Sequence, residues 1–199
     1  MIWVLSQLRI RHMLIKGKKV VIRAIENSDA EILQAAINDP ILEGFEVGFA
    51  FPVSYDQQLE WIQKNQRQEN GIKLVIEYAD EVVGYTNILN IDWKNRTAWN
   101  GIKLFSEKYR GKGLATDTVF AIMRYCFEEL NLNRLEGAIL TFNKPSYHLY
   151  VEKCGWSVEG TKRQNVYKKG KYHDQLMVAI LKEDYEKLIE KTNYWNETK

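Results

Sequence analysis

Apolar and polar positions along the chain follow two periods, which predict strands and helices. Five segments rich in β-branched and aromatic residues favour strands: 19–25, 72–79, 82–92, 97–106 and 134–140. Two more strands are predicted on either side of the Lys169-Gly170 turn, so the expected total is seven. A helical period predicts helices after Asn27, after Ser54, over 114–130 and over 143–154.

Two of the predicted helices have recognisable signals at the start or along one face. Ser54 and Gln57 form a capping box at the start of the second helix. In the first helix the expected buried stripe is Ile32, Leu33, Ala36 and Ile37. Residues 40–53, between these helices, contain glycine, proline and three phenylalanines without a clear period, so an irregular apolar connection is expected there.

The order of elements predicts an α/β (α+β) fold built on one mixed sheet. Three consecutive strands joined by short turns favour an antiparallel part, and the strand–helix–strand crossover over 97–140 should be parallel and right-handed. Residues 13–182 are expected to form the domain. Residues 1–12 are interpreted as an extension outside it, because Met13 begins the first strand segment, and residues 183–199 as a polar C-terminal helix and tail.

Composition excludes several classes of protein. The formal net charge of +2 over 199 residues is no nucleic-acid signature. No apolar run reaches the roughly 18 residues of a membrane span, and residues 1–12 lack the features of a signal peptide. Cys126 and Cys154 stand in no metal-ligand spacing, so core thiols and no metal are expected. The chain is therefore interpreted as cytoplasmic, with neither nucleic acid nor membrane as a partner.

The segment YRGKGLATDT, residues 109–118, places two glycines directly before a predicted helix. Gly111 and Gly113 leave their backbone N–H groups uncovered, and a helix that starts near Leu114 adds unpaired donors and the positive end of its dipole. Such a loop suits a phosphate. Thr116 stands where the dinucleotide-binding pattern needs a third glycine, and the P-loop pattern is absent. A glycine-rich turn without a ligand is the alternative.

A second motif follows one strand later, in NKPSYHLYVEKCGW at 143–156. The pair R-G-x-G-x-A and N-x-x-S-x-x-L-Y-x-x-x-x-G-[FW] resembles the GNAT superfamily of N-acetyltransferases. Residues 156–181 are similar to the branch that holds ribosomal-protein and spermidine N-acetyltransferases. The resemblance implies a GNAT fold, with a mostly antiparallel seven-stranded sheet splayed between its fourth and fifth strands.

The resemblance also implies acetyl-CoA as acetyl donor and a set of cofactor-binding residues. The pyrophosphate would rest on the loop and helix start, namely Arg110, Gly111, Lys112, Gly113, Leu114 and Ala115. The pantetheine arm would lie along Leu104 and Phe105, in the splay. Asn143 would hold the arm, although an N-cap is its alternative role, and Ser146 belongs to the same motif.

For catalysis, the resemblance implies direct transfer in a ternary complex, with Tyr150 as the general acid that protonates the departing thiolate. The alternative for Tyr150 is a core position, because it shares a helix face with Tyr147, Val151 and Cys154. Related enzymes often have Glu where this chain has Asn100, and an amide cannot act as a base. Proton removal is therefore expected through water or another carboxylate, with Glu77 and Asp174 as guesses.

The acceptor implied by the resemblance is a primary amine: a protein N-terminus, a polyamine or another small amine. Glu43 and Glu46 are candidates to attract it, or else ordinary surface carboxylates. Phe45, Phe49 and Phe51 would line its pocket or pack under the loop. The alternative function is a non-catalytic acyl-CoA-binding sensor module of the same fold. The resemblance is compatible with a homodimer, and the sequence leaves the oligomeric state open.

Overall fold

The computed structural model describes residues 14–48, 51–65 and 70–196, so the expected extension 1–12 lies outside the described residues. One sheet runs through this part of the chain, in the order β1-β2-β3-β4-β5-β6-β8-β7. Its strands are β1 (Ile15–Lys16), β2 (Val21–Ala24), β3 (Gly71–Tyr78), β4 (Glu81–Asp92), β5 (Thr97–Leu104), β6 (Arg134–Leu140), β7 (Ser157–Lys168) and β8 (Lys171–Leu181). The sequence predicts seven strands and the sheet has eight. The additional strand is the two-residue β1, which pairs antiparallel with β2.

The sheet is mixed, with one parallel pair at the crossover. Strands β5 and β6 run parallel, and their pairing covers only Thr97–Trp99 against Arg134–Glu136. Both strands continue beyond these pairs, β5 to Leu104 and β6 to Leu140. The two strands therefore separate after Trp99, which confirms the expected splay and leaves a gap in the sheet.

Six α-helices accompany the described sheet: α1 (Ala30–Ile37), α2 (Pro40–Glu43), α3 (Tyr55–Asn65), α4 (Leu114–Arg124), α5 (Lys144–Tyr147) and α6 (Lys182–Thr192). Helix α3 has the predicted capping box, since the Ser54 amide donates to the Gln57 side chain at 2.9 Å and the Gln57 amide to Ser54 Oγ at 3.2 Å. Helices α4 and α5 both continue into π-helical turns, Tyr125–Glu129 and His148–Lys153. The sequence period did not distinguish these wider turns from regular helix.

Apolar side chains form two clusters on opposite faces of the sheet. The larger packs α4 and the π-helical turns against one face, and the smaller lies under α1 and α3. In α1 the predicted stripe is wrong at Ile32, which is exposed, whereas Leu33 and Ala36 are buried. Helix α6 lies in the segment expected to be a polar C-terminal helix and tail, and its Tyr185 is buried in the larger cluster. The C-terminal segment is therefore packed against the domain core.

Candidate active site

The glycine loop presents a row of free amides at the start of α4. Gly111 and Gly113 have φ angles of 74° and 77°, a left-handed conformation that favours glycine. Gly113 is the N-cap, and the first helix amide with a hydrogen bond is that of Asp117, to Gly113 O at 3.0 Å. The amides of residues 111–116 donate to no other described residue. They are available to an anion, and the helix dipole favours negative charge there.

A buried carboxylate binds this loop to the turn between β1 and β2. Asp117 accepts hydrogen bonds from the amides of Lys18, Lys19 and Val20 at 2.8, 2.6 and 2.9 Å. It also accepts one from the Tyr194 hydroxyl at 2.8 Å. As a result the Lys19 ammonium lies beside the loop and donates to Lys112 O at 2.8 Å. Sequence reasoning missed Lys19 and Asp117, because neighbours about a hundred residues apart leave no local signal.

The loop opens into a cleft of about 1180 Å³ along the splay. The structure brings most of the predicted residues together there, and the cleft is lined by Phe45, Asn100, Leu104, Arg110, Gly111, Gly113, Leu114, Ala115, Asn143, Ser146 and Tyr150. The side chain of Leu114 is itself buried in the core, so this residue offers its backbone. Arg110 forms an ion pair with Glu107 at 2.7 Å.

Three predicted site residues lie away from the cleft, and a fourth is not among the described residues. Lys112 directs its ammonium to the Tyr109 ring, 5.9 Å from the centroid. Phe105 packs in the smaller cluster on the other face of the sheet, because successive side chains of a strand point to opposite faces. The Glu43 carboxylate is bound by the Lys168 ammonium. Phe49 lies outside the described residues.

Tyr150 lines the cleft and is buried, with only 6% of its surface exposed. Its hydroxyl donates to Asn100 Oδ1 at 3.3 Å, and its ring meets Trp156 edge to face at 4.8 Å. Burial is the main reason why the pKa of Tyr150 is raised above its ordinary value, with smaller contributions from Cys154, Tyr85 and Glu46. The phenol therefore stays protonated and can donate.

Asn100 joins Tyr150 to a polar network on β4. Its amide nitrogen donates to Asn87 O at 2.7 Å and to Thr86 Oγ1 at 3.3 Å. The Asn87 side chain accepts from the Gly101 amide at 3.0 Å and donates to the Tyr85 hydroxyl at 2.9 Å. The sequence signal for this network is a pair of consecutive polar residues, Thr86 and Asn87, in an otherwise apolar stretch of β4.

Carboxylates at the cleft are few. Among the described residues that line it, Glu46 and Asp117 carry carboxylates. Asp117 is occupied by the four donors above, whereas Glu46 lies at the cleft edge and pairs with Lys103 at 2.9 Å. Neither guessed base lines the cleft: Glu77 pairs with Arg23 at 2.7 Å, and Asp174 accepts the Gln164 amide at 2.8 Å.

Asn143 has the N-cap role that was its alternative in the sequence. Its Oδ1 accepts the Ser146 amide at 3.1 Å and so begins α5. Its amide nitrogen lies 3.5 Å from Phe45 O, in the segment after α2. The side chain still lines the cleft, so capping does not exclude a contact with a bound molecule.

A second pocket, of about 450 Å³, adjoins the cleft on the α1 and α3 side of the sheet. Glu46, Tyr85 and Lys103 line both spaces.

Within the described residues, no helix is long and apolar enough to cross a bilayer.

Comparison with known proteins agrees with this architecture. The provisionally named ribosomal N-acetyltransferase YdaF of Bacillus subtilis (strain 168) is 31% identical over 176 residues, which cover 85% of this chain and 95% of that protein. Spermidine N(1)-acetyltransferase of Escherichia coli (strain K12) is 30% identical over 122 residues, which cover 61% of this chain and 64% of that protein. The solved structure of spermidine N-acetyltransferase from Vibrio cholerae, in complex with CoA and spermine, has a TM-score of 0.78 at 24% identity and covers 84% of this chain and 98% of that one.

The family model described as the acetyltransferase (GNAT) domain matches residues 19–157 and so spans both motifs. The chain therefore belongs to the GNAT acetyltransferase family, as an acetyl-CoA-dependent N-acetyltransferase.

Proposed function

We propose that this chain moves the acetyl group of acetyl-CoA directly to a primary amine in a ternary complex. The acceptor classes are a protein N-terminus, a polyamine or another small amine, and relatives named for ribosomal proteins and for spermidine support the first two. One observation carries the proposal. The free amides of residues 111–116 open onto the gap between β5 and β6, where Tyr150 is buried.

The amides of the loop and the cations beside it are suited to the diphosphate of acetyl-CoA. Residues 111–116 would donate to its oxygens, with Arg110 and Lys19 adding positive charge at the rim. Leu104 lines the gap in which the pantetheine arm would lie, with Asn143 and Ser146 on the opposite wall. Lys19 joins the set predicted from the sequence because it approaches the loop only in the folded chain.

The bound thioester supplies a carbonyl carbon that the amine nitrogen attacks, while the bond from that carbon to sulfur breaks. The Tyr150 hydroxyl gives its proton to the departing sulfur. Burial raises the pKa of the phenol, but it raises the pKa of a thiol in the same surroundings too, as the buried Cys154 at about 12 illustrates. Burial therefore shifts the pKa of both groups in the same direction.

The acceptor must lose a proton, since an alkylammonium has a pKa of about 10.4. Glu46 is the proposed proton acceptor, directly or through water. Its carboxylate lies where the cleft meets the second pocket, whereas Asp117 accepts hydrogen bonds from four donors and Glu43 does not line the cleft. Lys103 holds the Glu46 carboxylate at this junction.

Calorimetry with acetyl-CoA tests the loop, and Gly111→Ala is the decisive variant. A Cβ on Gly111 would meet open space, but its φ of 74° makes any other residue strained by about 1–2 kcal/mol. We expect the Kd for acetyl-CoA to rise about ten-fold. Gly170→Ala is the matched control, with φ of 80°, open space and a position in the β7–β8 turn. Equal effects of the two variants would refute the proposed cofactor site.

Turnover is measured as thiol release with a panel of amines, with the acetylated product identified by mass spectrometry. Acetyl-CoA binding without turnover of any peptide, polyamine or small amine would contradict the proposed reaction. It would favour the non-catalytic acyl-CoA-binding alternative.

A further inference from the structure

One side of the second pocket is polar, and its polar groups have neither a hydrogen-bond acceptor or donor nor a carboxylate partner among the described residues. Gln58 is only 4% exposed and lines this pocket, yet its side chain makes no hydrogen bond with any described residue. Lys73 lines the same pocket with its ammonium 4.4 Å from the centroid of the Trp61 ring, and it has no carboxylate partner in the described part of the chain. A partly buried cation and a buried amide therefore face the same space.

The charges around this pocket favour an anion. Glu46 is paired with Lys103 and Glu43 with Lys168, so both carboxylates of the α2 segment are neutralised. The Lys73 ammonium is left as the uncompensated charge among these groups. Burial lowers the pKa of Lys73, and an anion placed beside it would offset that cost. A second cation in the pocket would instead be repelled.

We propose that the acceptor is a primary amine that also carries a carboxylate and an apolar body, rather than a polyamine. Lys73 and the Gln58 amide would bind the carboxylate, Trp61 and Phe105 would contact the apolar part, and the amine would reach Glu46. This inference rests on the proposed function, because it names the substrate class for the same reaction.

Strand register sets the length of such an acceptor. Lys73 pairs with Asn87, and Asn87 pairs with Gly101, so two strand spacings separate β3 from the strand that borders the splay. Each spacing is about 4.8 Å, so the carboxylate and the amine should lie roughly 10 Å apart or less. A chain of about five methylene groups spans most of this distance.

The test compares 6-aminohexanoate with 1,5-diaminopentane, which has an amine in place of the carboxylate. We expect kcat/KM to favour the aminocarboxylate by about ten-fold or more in the wild type. Lys73→Met, which keeps an apolar stem and removes the charge, should abolish the preference, and Lys73→Glu should reverse it. Lys187→Glu is the matched control, since Lys187 is exposed on α6. Its preference should equal that of the wild type.

A preference for the diamine, or a preference unchanged in both Lys73 variants, would overturn this inference while the proposed function stands. If neither amine is acetylated, calorimetry on the CoA-bound protein replaces turnover. Binding of 6-aminohexanoate that is lost in Lys73→Met would support the inference, and absence of binding in the wild type would overturn it.

Discussion

Replacing Tyr150 with phenylalanine separates catalysis from packing, because the change removes one hydroxyl and keeps the ring. The ring would retain its contact with Trp156. The lost hydrogen bond to Asn100 is long, at 3.3 Å, and the Asn100 amide keeps its bonds to Asn87 and Thr86. We therefore expect a stability loss of only about 0.5–1 kcal/mol, which lowers Tm by roughly 1–4 °C for a chain of this size.

The effect on the reaction should be much larger than the effect on stability. Without the phenol, the departing sulfur has no proton donor, and we expect kcat to fall about a hundred-fold. The Kd for acetyl-CoA should stay within about two-fold, since the loop amides are untouched. The assays are thiol release under saturating acetyl-CoA, calorimetry for affinity and thermal unfolding for stability.

Tyr185→Phe is the matched control, because Tyr185 is also buried and lies away from the cleft. Its hydroxyl donates to Glu128 at 2.7 Å and accepts from Trp195 Nε1 at 3.1 Å. Loss of a hydrogen bond to a charged group should cost about 1.5–3 kcal/mol with little change in kcat. If Tyr150→Phe kept full kcat, or lost no more activity than Tyr185→Phe, the role of Tyr150 as general acid would be refuted.

Three further predictions concern the carboxylates and the ionisation of the buried phenol. Glu46→Gln should lower kcat about ten-fold or more at unchanged acetyl-CoA affinity, whereas Glu60→Gln on exposed α3 should not, and equal rates would argue for proton removal by water alone. Asp117→Asn should lose part of its bonding to Lys18–Val20, lower the unfolding free energy by about 2–3 kcal/mol and weaken acetyl-CoA binding in calorimetry; unchanged Tm and Kd would contradict the role given to this residue. Because the folded pKa of Tyr150 is raised, its contribution to stability is complete below the unfolded pKa near 10 and is lost as pH rises towards the folded value, by up to about 1.4 kcal/mol per pH unit. Denaturant unfolding at pH 9 and 11 should therefore show a smaller alkaline loss in Tyr150→Phe than in the wild type.

Most of the fold and the central part of the site could be predicted from the sequence. Strands β3 to β6 follow from runs of β-branched and aromatic residues, and the start of α3 from the capping pair Ser54 and Gln57. The glycine loop could be predicted because a left-handed backbone favours glycine, and Gly111 and Gly113 stand directly before the predicted helix. Spacing to the second motif then indicated the family, and the family match confirms it.

The predictions that were wrong concern features that are set by packing and strand pairing in the folded chain. Ile32 shows the helical period of a buried residue but lies at the edge of the stripe, where only packing decides exposure. Phe105 is adjacent in sequence to Leu104 yet faces the opposite side of the sheet. The two-residue β1 is too short to show a period and exists because β2 pairs with it.

The sequence by itself determined the local conformations, the order of elements and the motif that identifies the family, since these depend on residues within a few turns of one another. Only the tertiary structure decided which charges meet. Asp117 binds the amides of Lys18–Val20, which are about a hundred residues away in the sequence, and Lys168 pairs with Glu43 at a sequence separation of 125 residues. Lys73 remains without a carboxylate partner among the described residues for the same reason: ion pairing depends on distances in space, and those distances are set by how the strands align and where the helices pack.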